Sequence, residues 1–153
     1  MYVNDRGGGF AADATVGPPQ ADTRAVAVGD LNGDGKPDIV ASHLGLETRI
    51  YWNDGTGKFS RYTTLAQDKS GCFALLVADF NKDGKQDVVC GAVGTSTLFL
   101  NHGLGKFSRR PFGDGRGTTY GLAAADLDGD GYLDLVAARS GAPSTVYFNL
   151  SQP

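Results

Sequence analysis

Short apolar runs alternate with polar, glycine-rich stretches along the whole chain, and the runs fall into sets of four. The first of each set is Ala25–Gly29, Ala74–Ala78 and Gly121–Ala125. These are continuously apolar and mostly small, the pattern of a strand buried on both faces at the crowded centre of a radial array. The second begins at Ile39, Val88 and Leu135 and is apolar and largely β-branched, which also favours a strand. The third covers Thr48–Trp52, Thr97–Leu100 and Thr145–Phe148. The fourth covers Phe59–Thr64 and Phe107–Phe112, with Phe10–Val16 as an N-terminal copy. It is the most polar of the set, through Ser60-Arg61 and Ser108-Arg109-Arg110, as an outer edge strand should be.

A nine-residue polar stretch separates the first strand from the second in every set. It reads Asp30-Leu31-Asn32-Gly33-Asp34-Gly35-Lys36-Pro37-Asp38, then Asp79-Phe80-Asn81-Lys82-Asp83-Gly84-Lys85-Gln86-Asp87, then Asp126-Leu127-Asp128-Gly129-Asp130-Gly131-Tyr132-Leu133-Asp134. Side-chain oxygens stand at positions 1, 3, 5 and 9, and a Gly at position 6 permits the sharp turn that brings the ninth residue back. Position 7 (Lys36, Lys85, Tyr132) varies in chemistry, as expected where only a backbone carbonyl serves as ligand. Without a cation, two carboxylates about 4 Å apart repel by ~4 kcal/mol at an effective dielectric near 20. The oxygen-only donor set therefore points to Ca²⁺, three ions per chain, rather than zinc or copper. An EF-hand would need Glu at position 12, where this chain has Ala41, Cys90 and Ala137, so Asp38, Asp87 and Asp134 are expected to close the loops instead. A metal-free Asp/Asn/Gly turn is the alternative, disfavoured by three copies with oxygens in the same places.

The loop-opening aspartates are 49 and 47 residues apart, and a second landmark recurs with them. Tyr51-Trp52-Asn53-Asp54-Gly55-Thr56-Gly57-Lys58-Phe59 has copies at Tyr2–Phe10 and Phe99–Phe107, and a stub at Tyr147–Leu150. The whole chain, residues 1–153, therefore reads as one unit of repeats at about 2–50, 51–98 and 99–146 with a C-terminal strand at 147–150. Four strands in about 48 residues is the pattern of a propeller blade, giving an all-β chain of three four-stranded blades.

The stretches Val28–Val40 and Tyr51–Phe59 resemble the VCBS/FG-GAP repeat family, calcium-loop β-propeller repeats related to those of integrin α-subunit heads. The resemblance covers essentially the whole chain. It implies that the metal ligands are Asp30, Asn32, Asp34, Lys36 and Asp38; Asp79, Asn81, Asp83, Lys85 and Asp87; and Asp126, Asp128, Asp130, Tyr132 and Asp134. It also implies adhesion or carbohydrate recognition outside the cell or at its surface. Propellers of this family close with about six to eight blades, and this chain has three.

Charge changes the picture little. Ten of the 17 acidic residues lie in the three loops, so the net −3 reflects metal binding. No basic patch suggests nucleic acid, and no run reaches the ~18 apolar residues of a membrane span. The N-terminus lacks the basic and apolar regions of a secretory leader. Cys72 matches Thr23 and Thr119, and Cys90 matches Ala41 and Ala137. They lie seven residues before and three residues after their loop, out of register in a straight ladder, which argues against a disulfide. His43 and His102 read as surface turn residues, Arg109-Arg110 as a solvated pair, and Gly113–Gly117 as an inter-strand loop.

No catalytic constellation recurs, so the chain reads as a non-catalytic module for glycan or extracellular protein. The alternatives are a fragment of a propeller-type polysaccharide lyase, or an engineered propeller fragment with no ligand of its own. The aromatics equivalent by repeat (Tyr51, Phe99, Tyr147) suit packing between blades. Recognition belongs where the repeats disagree: at Arg24, Phe73 and Tyr120, six residues before each loop, and in Ser42–Arg49, Ala92–Ser96 and Arg139–Ser144. Three blades are too few for a closed ring. A homodimer of six blades is expected, with Phe10–Val16 of one chain completing the last blade of the other.

Overall fold

The computed structural model describes residues 2–4, 10–12, 15–69 and 71–150, among which there is no helix. Thirteen strands follow in order. They are β1 (Tyr2–Asn4), β2 (Phe10–Ala12), β3 (Thr23–Gly29), β4 (Asp38–His43), β5 (Thr48–Trp52), β6 (Arg61–Ala66), β7 (Ala74–Ala78), β8 (Asp87–Gly91), β9 (Ser96–Asn101), β10 (Phe107–Phe112), β11 (Thr118–Ala125), β12 (Asp134–Ser140) and β13 (Thr145–Tyr147). Every pairing between them is antiparallel. Blade 1 is the sheet β3-β4-β5-β6, blade 2 is β7-β8-β9-β10, and blade 3 is β11-β12-β13. β1 and β2 form a separate hairpin. The expected strand over Phe10–Val16 is thus described only over Phe10–Ala12; residues 13 and 14, and the landmark copy at 5–9, lie outside the described residues. The third blade has three strands rather than four.

The three sheets stack with their first strands innermost: β3 and β11 both approach β7. Two apolar cores lie between the blades. One is built on Leu31, Val40, Ile50, Val88 and Phe99, the other on Phe80, Val89 and Leu135. Phe99, Leu31 and Ile50 are almost wholly removed from water, each contributing roughly 1.5–3 kcal/mol. The repeat-equivalent aromatics Tyr51 and Phe99 are both core residues. At the centre the backbones come close. A Cβ on Gly29 would stand 2.2 Å from Gln86 Oε1 and 2.5 Å from Val77 Cγ1, so no larger residue fits there without displacing blade 2.

One expectation fails. The first strands are not the buried ones: β3 is half exposed along its length, with Val26 and Val28 about 60% accessible, whereas every residue of β8 is buried. The reason is neighbours. β8 has a strand on each side and, in blade 2, a blade over each face, while β3 lines the axis of an open arc.

A second correction concerns the cysteines. Cys72 and Cys90 form a disulfide, with Cα atoms 5.3 Å apart. The straight-ladder argument fails because the ladder does not stay straight. Register shifts between Thr23 and Ala25 in blade 1 and between Thr119 and Gly121 in blade 3. In blade 2 the ladder begins only at Ala74, so Cys72 lies outside it and can approach Cys90.

His43 is a third. It is fully buried at the end of β4, not a surface turn residue. Its Nδ1 lies 3.0 Å from Thr23 Oγ1 and its Nε2 3.0 Å from Tyr51 Oη, so both ring nitrogens are engaged. His102 is exposed, with Nε2 2.7 Å from Ser108 Oγ.

Candidate metal centres

Each acidic loop is folded by its own side chains. The N–H of position 5 donates to the side-chain oxygen of position 3: Asp34 to Asn32 at 2.9 Å, Asp83 to Asn81 at 3.1 Å, Asp130 to Asp128 at 3.1 Å. The N–H of position 7 donates to position 5: Lys36 to Asp34 and Lys85 to Asp83 at 2.9 Å, Tyr132 to Asp130 at 2.7 Å. The Gly at position 6 donates to the aspartate at position 1, at 2.7 to 2.9 Å. These bonds curl the backbone around a single point and turn the oxygens toward it. Position 6 has the expected positive φ, between 80° and 88°. Position 4 has it as well, a requirement the sequence reading missed. Gly33 and Gly129 meet it freely, while Lys82 is held at φ 57°.

In the third loop, one carboxylate oxygen from each of Asp126, Asp128 and Asp130 lies within 4.8 Å of the others. Oxygens bound to one Ca²⁺ at about 2.3–2.6 Å stand no farther apart than about 5 Å. In the second loop Asp79 Oδ1 is buried with no hydrogen-bond partner, an acceptor that asks for a cation. The hard-oxygen donors, their spacing and this orphaned oxygen all fit Ca²⁺. The side chains at position 7 go to different partners: Lys36 Nζ donates to the Asp54 carbonyl, Lys85 pairs with Asp83 at 3.1 Å, and the Tyr132 ring lies under Lys82 Nζ.

The ninth-position aspartates have a second task. Asp38, Asp87 and Asp134 are almost inaccessible. One oxygen of each accepts the N–H of position 2: Leu31 at 3.1 Å, Phe80 at 3.0 Å, Leu127 at 2.8 Å. The other accepts the N–H of the asparagine at or just beyond the end of the third strand: Asn53 at 2.9 Å, Asn101 at 2.8 Å, Asn149 at 2.8 Å. These residues staple the loop to the third strand, and a carboxylate retains lone pairs for a metal beside such bonds.

Asn53, Asn101 and Asn149 belong to the second landmark, where the sequence suggested only a turn. Each amide Nδ2 also donates to the carbonyl of position 8 in its own loop, Pro37, Gln86 or Leu133. Asn101 and Asn149 reach further, to position 2 of the preceding blade: Leu31 O and Phe80 O, both at 2.8 Å. Loops 1 and 2 thus each lie beneath the following blade. Burial accordingly pushes the Asp38 and Asp87 carboxyls up from the usual range. Asp134 has no following blade among the described residues, and the N–H groups of Asn149 and Leu127 hold its carboxyl down. Burial opposes the charged form of Asp30, yet the N–H groups of Gly35, Gly33 and Asp34 keep it below its ordinary value.

The residues nominated for recognition, Arg24, Phe73 and Tyr120, come together at the opposite end of the inner strands. Arg24 Cζ lies 4.2 Å above the Phe73 ring, and Phe73 meets Tyr120 edge-on with centroids 5.3 Å apart. Arg24 and Tyr120 occupy the register shifts of β3 and β11, where an extra residue re-aims its side chain out of the ladder. In the variable stretch 139–144, Arg139 pairs with Asp114 at 2.6 Å and donates to Pro143 O and Thr145 Oγ1.

Antiparallel blades of three or four strands with an oxygen-lined loop between first and second strands define a β-propeller-like repeat protein. Comparison with known families agrees. The FG-GAP-like repeat pattern matches residues 1–41, 46–90 and 79–137, and the chain belongs to that family. No curated protein matches it. Among the described residues no helix is long and apolar enough to cross a membrane.

Proposed function

We propose that the chain is a non-catalytic, calcium-held propeller module that binds carbohydrate at the end of the inner strands opposite its metal loops. The contact of Arg24, Phe73 and Tyr120 carries this reading. Three residues that differ at one repeat position meet in one cluster, Arg24 over the Phe73 face and Tyr120 at the Phe73 edge, and Tyr120 keeps 57% of its surface open. A half-open aromatic beside a guanidinium suits a sugar ring with an acidic substituent, through stacking and charge-assisted hydrogen bonds. A protein ligand would use the same surface. Calcium would be held by positions 1, 3, 5 and 9 of each loop and the carbonyl of position 7. It would cancel the mutual repulsion of the aspartates and fix the first strand to the second.

The Cys72–Cys90 disulfide favours an oxidising compartment, in keeping with a protein outside the cell or on its surface. The experiment is paired. Calorimetric titration of the chelated protein should find three Ca²⁺ sites. A glycan array should then give binding that Arg24→Ala and Tyr120→Ala abolish without changing that stoichiometry. Fewer than three sites refutes the metal assignment. Binding untouched by both substitutions refutes the recognition surface, and turnover of pectic substrates refutes the non-catalytic reading.

A further inference from the structure

Every blade in this chain has two unlike faces, and the chain uses the contact between them twice. Between blades 1 and 2, Leu31 and Ile50 of blade 1 pack with Leu75 and Val77 of blade 2. Between blades 2 and 3, the equivalent residues are Phe80 and Leu98 against Leu122 and Ala124. One polar contact recurs at the same repeat position across both boundaries, Asn101 Nδ2 to Leu31 O and then Asn149 Nδ2 to Phe80 O.

One copy of each face is left over. On blade 3 the positions of Leu31 and Ile50 are held by Leu127 and Val146. They are 50% and 43% accessible, where Leu31 and Ile50 are nearly inaccessible. On blade 1 the positions of Leu75 and Val77 are held by Val26 and Val28, 60% and 59% accessible. Asn53 stands where Asn101 and Asn149 stand, and among the described residues its Nδ2 reaches only its own blade, at Pro37 O.

We infer that a second copy of this chain seats on these faces. This inference rests on the blade reading above. Blade 3 of each copy packs against blade 1 of the other, and Asn53 Nδ2 of one donates to Leu127 O of the other at each junction. The two free surfaces are the two halves of a contact the molecule already makes with itself, so their shape and chemistry are complementary by repetition. Because the two faces are unlike, two copies related by a two-fold axis satisfy four faces through two identical junctions, forming a ring of six blades.

The outer edge agrees. Phe107 at the start of β10 packs into the core between blades 1 and 2, whereas an apolar groove of about 560 Å³ stays open beside Leu98, Phe112, Tyr147 and Phe148, next to the edge of blade 3. By repeat, β2 is the counterpart of the start of β10, and it precedes blade 1 in the chain. β2 pairs with β1 in the register that β10 uses on β9, Asn4 opposite Phe10 as Asn101 is opposite Phe107, so joining β13 of the other copy requires β2 to leave β1.

Light scattering of the calcium-loaded chain should give twice its 16.0 kDa mass. Val28→Asp and Val146→Asp each place a charge in the proposed junction, on side chains already exposed in the single chain, and should weaken the dimer by about a hundredfold or more. Asn53→Ala should weaken it less. Circular dichroism and calcium stoichiometry should stay unchanged in the two charge variants, which separates loss of the dimer from loss of the blade. A folded monomer overturns the inference and leaves the faces to blades of another chain. A dimer indifferent to both charges, or an open-ended polymer, overturns it as well. Failure of the wild-type chain to bind calcium would instead count against the metal assignment alone.

Discussion

The two ends of the inner strands solve the same problem in opposite ways. At the loop end, all three blades use one device: an aspartate at position 9, two backbone N–H groups and an asparagine at or just beyond the end of the third strand. At the other end each blade has its own. Blade 1 uses the buried His43 between Thr23 and Tyr51. Blade 2 uses the Cys72–Cys90 disulfide. Blade 3 uses Arg139, paired with Asp114. His43, Ala92 and Arg139 hold the same repeat position, thirteen residues after the loop opens. A metal loop admits one solution because oxygen count and turn geometry are fixed together. An end that needs only to be closed admits many, and is therefore free to acquire a ligand surface.

The sharpest way to break this contrast is Asp87→Ala. It leaves the N–H groups of Phe80 and Asn101 buried without an acceptor and should cost on the order of 3–5 kcal/mol in urea unfolding, even in chelator. Asp83→Ala, which removes an exposed ligand, a surface pair and the acceptor of the exposed Lys85 N–H, should cost only about 1 kcal/mol under the same conditions. If the two match, the anchor and ligand roles have not been separated. At the variable end, Cys72→Ser opens the crosslink and should cost about 3 kcal/mol. Calcium stoichiometry should not change.

A smaller effect concerns pH. Burial, reinforced by the positive charge of Arg49 and opposed by Glu47, holds the His43 imidazole below its ordinary value of 6.5. The unfolded chain then binds the proton that the folded chain refuses, so stability falls as pH drops below 6.5 toward the folded value. His43→Asn keeps a group for Thr23 and should flatten that part of the profile, which melting temperatures between pH 7 and pH 5 will read. The smallest change is Lys82→Gly. Relief of its left-handed backbone gains about 1 kcal/mol, partly offset by loss of the Tyr132 contact, about 0.5–1 kcal/mol. Melting in calcium should rise slightly or not at all.

Where three copies agree, the sequence was readable. β5, β7 and β10 have the expected bounds, Thr48–Trp52, Ala74–Ala78 and Phe107–Phe112, because landmarks pin both ends of each. The places of the loop oxygens, and the equivalence of Arg24, Phe73 and Tyr120, follow from counting residues between repeats, but that the three side chains meet depends on the register shifts at Arg24 and Tyr120. Lone departures were less legible. His43 has no equivalent histidine to show that its position is a core one. The disulfide depends on where the ladder of blade 2 begins, and no residue pattern announces that. The anchoring asparagines were visible as a recurring Asn, but a residue that both caps a turn and bridges blades looks the same as one that only turns the chain. The burial of the first strands was misjudged because burial depends on how many blades surround the axis, a property of the assembly rather than of the strand.

The close approach at Gly29 has a geometric consequence. Each blade is a wedge, thin where Ala25, Ala27 and Gly29 meet the axis and thick where Tyr51, Trp52 and Phe99 fill the space farther out. The taper sets the angle through which one blade is turned from the next, and hence how many are needed for a full circle. In a closed ring of such blades, the blade number would be set by the volume of a few small residues on the innermost strands. Widening that thin edge, with Gly29→Ala or Ala27→Val, spreads the blades at the axis, lowers the turn per blade and pushes the circle toward a higher count. The same repeat, with a slightly blunter edge, would tile a different polygon.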